Sequence, residues 1–146
     1  MAKMDEVEPN LFICDYVKAS NVECLTKYNI KHILSVWERP YLPVIGRKIQ
    51  YYTFYVQDDK NQDISFLFGE TFKIISNALK KNEAIIVHCN AGISRSSTIV
   101  IAYLMKKYSL TLKQAYEKLL TKHCEAEPNA NFIKQLKSYE TLCINK

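Results

Sequence analysis

Apolar residues along the chain occur in two kinds of run, and the difference between them predicts the secondary structure. Short runs of apolar, β-branched and aromatic residues are typical of strands, and the sequence contains four. These predicted strands cover residues 11–14, 30–36, 50–56 and 84–87. The acidic residues that precede the first run predict a short, frayed lead at the N-terminus.

Longer segments have apolar residues three or four positions apart, which predicts helices with one buried face. Predicted helical segments are 65–80, 99–105, 115–120 and 132–143. Ser20 with Glu23, and Thr111 with Gln114, have the spacing of a capping box, so each pair predicts the start of a helix. Asp63 is predicted to cap the helix that follows it.

The order of these elements indicates the fold class. Strands alternate with helices and are followed by helices alone, which is typical of an α/β domain. The run at 84–87 is apolar throughout, as in a strand that is buried on both faces of a parallel sheet. We therefore predict a central, mostly parallel, twisted sheet with helices on both faces. With 146 residues, 48% of them hydrophobic, residues 1–146 are predicted to form a single domain.

A short loop joins the strand at 84–87 to the most apolar helix. Such a loop, held between two buried elements, can direct its backbone amides at one point, and Gly92 allows the chain to pass close to a ligand. The next helix, predicted to begin near Ser96, adds the positive end of its dipole. The loop therefore predicts a phosphate site formed by Asn90, Ala91, Gly92, Ile93, Ser94 and Arg95.

Three side chains of this segment can supply a reaction. Converging amides and a helix N-terminus favour the thiolate of Cys89, which makes it a nucleophile at neutral pH. The planar guanidinium of Arg95 can donate two hydrogen bonds to phosphate oxygens. Ser96 places a hydroxyl where it can stabilise the sulfur as a leaving group. The alternative is an inert, buried cysteine beside a surface arginine.

The stretch from His88 to Ser96, HCNAGISRS, resembles the HCxxGxxRS signature of cysteine-dependent protein phosphatases, and AGISRSS resembles their dual specificity branch. Further similarity lies in 56–58, 63–65, 102–105, Pro128-Asn129, Phe132 and Gln135-Leu136. The resemblance covers about 8–142. It implies the cysteine phosphatase fold, hydrolysis of phosphorylated proteins through a phosphocysteine intermediate, and no metal or cofactor.

The polar loop at 57–63 is expected to supply a general acid. Cleavage of a phosphate ester needs a proton for the leaving oxygen, and a carboxylic acid can donate it and then activate water. Asp58 lies five residues before the predicted cap Asp63, which is the spacing that the resemblance implies for the acid. We therefore favour Asp58 over Asp59. The alternative is that all three aspartates are solvated turn residues.

Composition narrows the setting of the protein. Five cysteines, without CxxC spacing and without a recognisable signal peptide, predict a reducing, intracellular location, the cytoplasm first and the nucleus as an alternative. The net charge of +5 is spread over scattered lysines, which argues against nucleic acid as a partner. No apolar run is long enough to span a membrane. A monomer is expected.

The substrate class follows from the resemblance. The neutral side chains of Ala91, Ile93 and Ser94 favour phosphoproteins over phosphoinositides or RNA triphosphates, and a shallow cleft would admit phosphoserine and phosphothreonine as well as phosphotyrosine. Arg39, in the loop 37–43, is a candidate for substrate contact, and the alternative is that this loop only covers the core. A phosphopeptide-binding adaptor, a phosphatase for a non-protein ester and a sulfur-transfer enzyme remain as alternatives, as does protection of oxidised Cys89 by Cys124.

Overall fold

A five-stranded sheet forms the centre of the structure, a computed structural model that describes residues 4–41, 43 and 48–144. Its strands are β1 (Asp5–Glu8), β2 (Leu11–Cys14), β3 (Ile30–Trp37), β4 (Gln50–Tyr55) and β5 (Ala84–His88). They are arranged in the order β1-β2-β5-β3-β4. The β1 and β2 strands pair antiparallel, and the other pairs are parallel. The predicted, mostly parallel sheet is confirmed.

Helices cover both faces of this sheet, as predicted. Within the described ranges they are α1 (Tyr16–Ala19), α2 (Val22–Lys27), α3 (Phe68–Lys80), α4 (Arg95–Tyr108), α5 (Leu112–Leu120) and α6 (Ala130–Ile144). One core packs α1 and α2 against the sheet, and the larger core packs α3, α4, α5 and α6 against the opposite face. No helix in the described part of the chain is long and apolar enough to cross a membrane.

The β5 strand lies in the middle of the sheet and faces both cores. Ile86 packs in the core beside α1 and α2, whereas Ile85 and Val87 pack in the larger core. Successive side chains of a strand point to opposite faces, so a strand buried on both faces needs apolar residues at every position. Burial on both faces therefore explains why the apolar run of β5 is unbroken.

The parallel strands bring three loops to one edge of the sheet. Their carboxyl ends lead into the segments that follow Trp37, Tyr55 and His88. In open α/β sheets, ligands bind outside the carboxyl ends of the strands. The predicted phosphate site, the predicted acid and the loop 37–43 therefore share one edge. Leu42, within that last loop, lies outside the described residues.

The structure corrects the interpretation of the N-terminal lead. Residues Asp5–Glu8 do not fray but form the edge strand β1. Met4 and Val7 are buried, while Glu8 forms an ion pair with Lys107 on α4. The acidic residues concealed a strand whose apolar positions are few but well buried.

Two predicted caps were also wrong in detail. Ser20 ends the short helix α1, where its hydroxyl donates to the carbonyl of Tyr16, and Asn21 caps α2 by accepting a bond from the amide of Cys24 at 3.0 Å. Asn is as good a cap as Ser, so α2 begins one residue later than the capping-box spacing predicted. Asp63 accepts from the amide of Ser65, but a 3₁₀ turn, 65–67, precedes α3. The capping box of Thr111 and Gln114 is confirmed.

Candidate active site

The nucleophile candidate Cys89 is the first residue after β5, and Arg95 is the first residue of α4. Cys89 is buried, and its Sγ lies 3.2 Å from the Oγ of Ser96, which is itself fully buried. The structure therefore brings together the sulfur and the hydroxyl that the sequence paired. We refer to residues 89–95 as the phosphate loop.

The carbonyl groups of the phosphate loop are held from outside. The carbonyl of Ser94 accepts from Thr98 in the first turn of α4. Four others accept a hydrogen bond from a donor outside both the loop and α4. The pairs are Cys89 O with His88 Nδ1 (2.9 Å), Asn90 O with Tyr16 N (3.1 Å), Gly92 O with His123 Nε2 (2.5 Å), and Ile93 O with Glu127 N (2.8 Å).

These bonds determine where the amides of the loop point. In a trans peptide the N–H group points opposite to the preceding carbonyl, and the described chain has no cis peptide. The N–H groups of residues 90, 91, 93 and 94 therefore point away from the four donors. None of these amides donates a hydrogen bond to any described residue. A ring of free amides beside a nucleophile is suited to a tetrahedral oxyanion.

Gly92 is required by the geometry of this ring. Its φ is +75°, a conformation that L side chains rarely adopt, and an added Cβ would lie 3.0 Å from the carbonyl carbon of Cys14 and 3.1 Å from the nitrogen of Asp15. The contact involves backbone atoms, which cannot turn aside. Any other residue at this position would push the phosphate loop away from the end of β2.

One nitrogen of the Arg95 guanidinium is hydrogen-bonded within the described part of the chain, whereas another has no partner there. Its Nη1 donates to the carbonyl of Val56 at 2.8 Å and to Oε2 of Glu38 at 2.5 Å. This bond to Arg95 lowers the pKa of Glu38, so the carboxylate stays ionised. Nε of Arg95 is buried and has no partner among the described residues. An unpaired buried donor is costly, and a phosphate oxygen would satisfy it.

His88 supports the start of the phosphate loop. Because a carbonyl only accepts, Nδ1 must donate to Cys89 O, and Nε2 therefore accepts from the hydroxyl of Ser35 at 2.6 Å. Burial lowers the pKa of His88 to about 4, so the ring is neutral at physiological pH. Its contacts are those of a residue that orients the loop.

The three aspartates of the acid loop, residues 57–63, have different partners. Asp59 accepts from the amides of Asn61 and Gln62, and Asp63 accepts from Ser65, so both are engaged within the local turn. Asp58 instead accepts a bond from Nδ2 of Asn129 at 2.8 Å. Of the three, Asp58 is the one whose carboxylate contacts the segment leading into α6, whereas Asp59 contacts it only through its backbone carbonyl.

Asn129 connects the acid loop to the phosphate loop. Its side-chain amide binds Asp58, and its backbone amide donates to Oγ of Ser94 at 3.0 Å. Its Oδ1 accepts from the amide of Phe132, which fixes the side chain in place. The sequence placed Asn129 only within a family motif and gave it no role.

Sequence reasoning missed three further contacts. Glu38 reaches the site through its bond to Arg95, while its neighbour Arg39 is exposed and stays a candidate for substrate contact. Ser35 lies under His88. His123, for which the sequence indicates no role at the site, is buried against the phosphate loop. The only sequence signal for such residues is an acidic or imidazole side chain next to an apolar segment, and this signal predicts a place at the site only weakly.

Comparison with known proteins identifies the family. Residues 11–142 match the family model described as dual specificity phosphatase, catalytic domain. The chain belongs to this family. The dual specificity phosphatase fold and class that the sequence predicted are thereby confirmed.

Relatives of known sequence and structure agree. The chain is 38% identical to dual specificity protein phosphatase 1 of Arabidopsis thaliana, covering 92% of this chain and 67% of that protein. It is 37% identical to human dual specificity protein phosphatase 9, covering 92% of this chain and 35% of that protein. The crystal structure of human tyrosine phosphatase-like serine/threonine/tyrosine-interacting protein superimposes with a TM-score of 0.88 at 29% identity, covering 97% of this chain and 98% of that one. The chain thus spans about a third of the length of the human relative and about two thirds of the length of the plant relative.

Proposed function

We propose that the protein is a dual specificity protein phosphatase that hydrolyses phosphotyrosine and phosphoserine or phosphothreonine in proteins. The observation that carries the proposal is the ring of free amides beside Cys89, whose Sγ lies 3.2 Å from Oγ of Ser96, closed by Arg95 with an unpaired Nε. In this proposal residues 1–146 form a single catalytic domain, a monomer in solution. The reducing cytoplasm is the proposed location, with the nucleus as the alternative.

The proposed reaction has two displacements at phosphorus. In the first, the Cys89 thiolate attacks, an S–P bond forms, and the ester P–O bond breaks as Asp58 protonates the leaving oxygen. In the second, Asp58 takes a proton from water, the water oxygen attacks phosphorus, and the S–P bond breaks. Inorganic phosphate leaves, and the hydroxyl of Ser96 stabilises the returning thiolate. The amides of Asn90, Ala91, Gly92, Ile93, Ser94 and Arg95 and the Arg95 guanidinium stabilise the charge on the equatorial oxygens in both steps.

A phosphopeptide-binding adaptor is the second candidate. One structural relative is a tyrosine phosphatase-like serine/threonine/tyrosine-interacting protein, and a phosphate loop can bind without turnover. The presence of both Cys89 and Ser96 at hydrogen-bond distance favours the enzyme, because binding alone requires neither a nucleophile nor a group that stabilises a leaving thiolate.

Hydrolysis of an aryl phosphate by the native protein, Cys89→Ser and Cys124→Ser tests the proposal. Cys124 is exposed, so Cys124→Ser is the matched control and should retain activity. Cys89→Ser should lose at least about 10³-fold in kcat while still binding phosphopeptides, because a serine hydroxyl stays protonated. Native protein that binds phosphopeptides without turnover would support the adaptor. Activity that survives Cys89→Ser would contradict the assignment of the nucleophile.

Dual specificity is tested separately with peptides of one sequence that carry phosphotyrosine, phosphothreonine or phosphoserine at the same position. We expect turnover of all three. Turnover of phosphotyrosine alone would restrict the substrate class. Activity only on a soluble, non-protein phosphate ester would favour the remaining alternative.

A further inference from the structure

His123 lies behind the phosphate loop and is tied to two other parts of the fold. It follows α5, and only 6% of its side chain is exposed. Its Nε2 lies 2.5 Å from the carbonyl oxygen of Gly92. Its Nδ1 lies 2.6 Å from Oδ2 of Asp5, on the edge strand β1, and 3.4 Å from Oε1 of Glu125.

These partners determine which way the hydrogen bonds run. A carbonyl oxygen only accepts, so Nε2 of His123 donates to Gly92. An ionised carboxylate also only accepts, so Nδ1 donates to Asp5. Two carboxylates, those of Asp5 and Glu125, face the Nδ1 side of the ring. Asp5 thereby fixes the rotation of the ring that holds Gly92.

The peptide between Gly92 and Ile93 has a particular need for this bond. The carbonyls of Asn90 and Ile93 are held by backbone amides, whose positions the fold already fixes. The Gly92 carbonyl is held by a side chain. Glycine adopts many backbone conformations at little cost, so the peptide that follows it can rotate more easily than the others. Rotation would turn the amide of Ile93 away from the bound anion.

We propose that His123, oriented by Asp5, is a positioning residue of the phosphate loop: it holds the Gly92–Ile93 peptide so that the Ile93 amide faces the oxyanion. The consequence for turnover rests on the proposed phosphatase function. The consequence for anion binding does not, because it depends only on the direction of one amide.

Two substitutions test the hydrogen bonds of the two ring nitrogens separately. His123→Gln places an amide nitrogen near the position of Nε2 and keeps a donor for Gly92. His123→Asn places its amide near the position of Nδ1 and keeps a donor for Asp5, but it is too short to reach Gly92. His32→Asn is the matched control, because His32 is another buried histidine paired with a carboxylate, Glu83 at 2.8 Å, near the opposite end of β3.

The readout is the affinity for inorganic tungstate, a tetrahedral oxyanion, measured by calorimetry on the native protein and each variant. We expect His123→Asn to bind tungstate about tenfold more weakly, the effect of losing one oriented hydrogen bond to a charged group, and His123→Gln to stay within about threefold of native. Both should unfold at similar urea concentrations. His32→Asn should lose stability without losing affinity for tungstate.

Equal affinities of the Asn and Gln variants would overturn the proposal, and so would a loss of affinity in His32→Asn as large as that in His123→Asn. If His123→Asn does not fold, Asp5→Ala replaces it, with an expected loss of about threefold because no acceptor remains at position 5 to orient the ring. Tungstate binding without turnover in the native protein would overturn the phosphatase function alone. Failure of the native protein to bind tungstate would overturn both proposals.

Discussion

The phosphate loop and the acid loop lie at the same edge of the sheet but are held in opposite ways. Cys89, Ser94 and Arg95 in the phosphate loop are buried, and its carbonyls are bonded to donors from several elements. The acid loop is largely exposed, and its contacts with the rest of the protein come mainly from α6 and the residue before it. The phosphate loop follows a central strand, whereas the acid loop follows the edge strand β4.

This difference corresponds to the two tasks in the proposed mechanism. Amides that stabilise charge are effective when they are already oriented, so that no reorganisation is needed during the reaction. An acid must exchange protons with a leaving group and with water, so it has to remain accessible. Substitutions in the phosphate loop should therefore cost more than substitutions around the acid loop.

After loss of the nucleophile, Arg95→Lys should have the largest effect on activity. Lysine keeps the charge but cannot bond Glu38, Val56 and two phosphate oxygens at once. We expect kcat/KM for an aryl phosphate to fall by about 10²- to 10³-fold. Arg39→Lys is the control and should change it little, because Arg39 is exposed and an aryl phosphate lacks the peptide that Arg39 is a candidate to contact. A loss below about tenfold in Arg95→Lys would show that the planar fork is not needed.

Asp58→Asn tests the acid loop directly. Removing the proton donor should lower kcat for a substrate with a poor leaving group by about 10²-fold and flatten the alkaline limb of the pH profile. Asp59→Asn should leave that limb in place, because Asp59 is bonded within its own turn. If Asp59→Asn flattens the limb instead, the assignment of the acid is wrong by one residue.

The phosphate loop was predictable from the sequence because its parts are adjacent in the chain. Cys89, Gly92, Arg95 and Ser96 fall within eight residues between a strand and a helix that periodicity reveals. The strand is apolar throughout and the helix is almost so, which also predicted a central sheet buried between helices.

The supporting residues were not predictable in this way. Glu38 is 57 residues from its partner Arg95, and Asn129 is 71 residues from Asp58. Only the order of the strands in the sheet brings these residues together, and the sequence does not reveal that order. The strand β1 was missed because only Met4 and Val7 of its segment are buried apolar residues, and its charged positions resemble a solvated lead.

Asn129→Ala should have an intermediate effect, because it breaks the connection between the two loops. The Asp58 side chain would lose its partner, and we expect kcat to fall by about tenfold as the acid moves away from its position. Asn131→Ala is the control, since Asn131 bonds the acid loop only at the backbone carbonyls of Asp59 and Gln62, while its Oδ1 accepts from Gln135.

A double variant of Asn129→Ala and Asp58→Asn decides whether the two residues act together. If Asn129 acts through Asp58, the double variant should be about as active as Asp58→Asn alone. Additive losses would assign Asn129 to the phosphate loop, through its bond to Ser94, and not to the acid.

The smallest expected effect is a loss of unfolding free energy at mildly acid pH, caused by His88, which supports the phosphate loop. Burial lowers the pKa of His88 to about 4, below the value of about 6.5 in the unfolded chain. The unfolded state therefore binds a proton first as the pH falls. The stabilisation is complete above about pH 6.5 and is lost progressively toward pH 4, with about 1 kcal/mol lost between pH 7 and 5.5.

Urea unfolding of the native protein and His88→Asn at pH 7 and 5.5 measures this loss. The asparagine amide can still donate to the carbonyl of Cys89 but does not titrate. Glu38, Glu83 and Glu140, whose pKa values are lowered by their hydrogen bonds, are present in both proteins, so the difference between the two pH dependences isolates His88. The native protein should lose about 1 kcal/mol more than the variant. Equal losses would mean that His88 is protonated in the folded protein as readily as in the unfolded chain, and the buried support of the phosphate loop would then tolerate a charge as well as the exposed acid loop does.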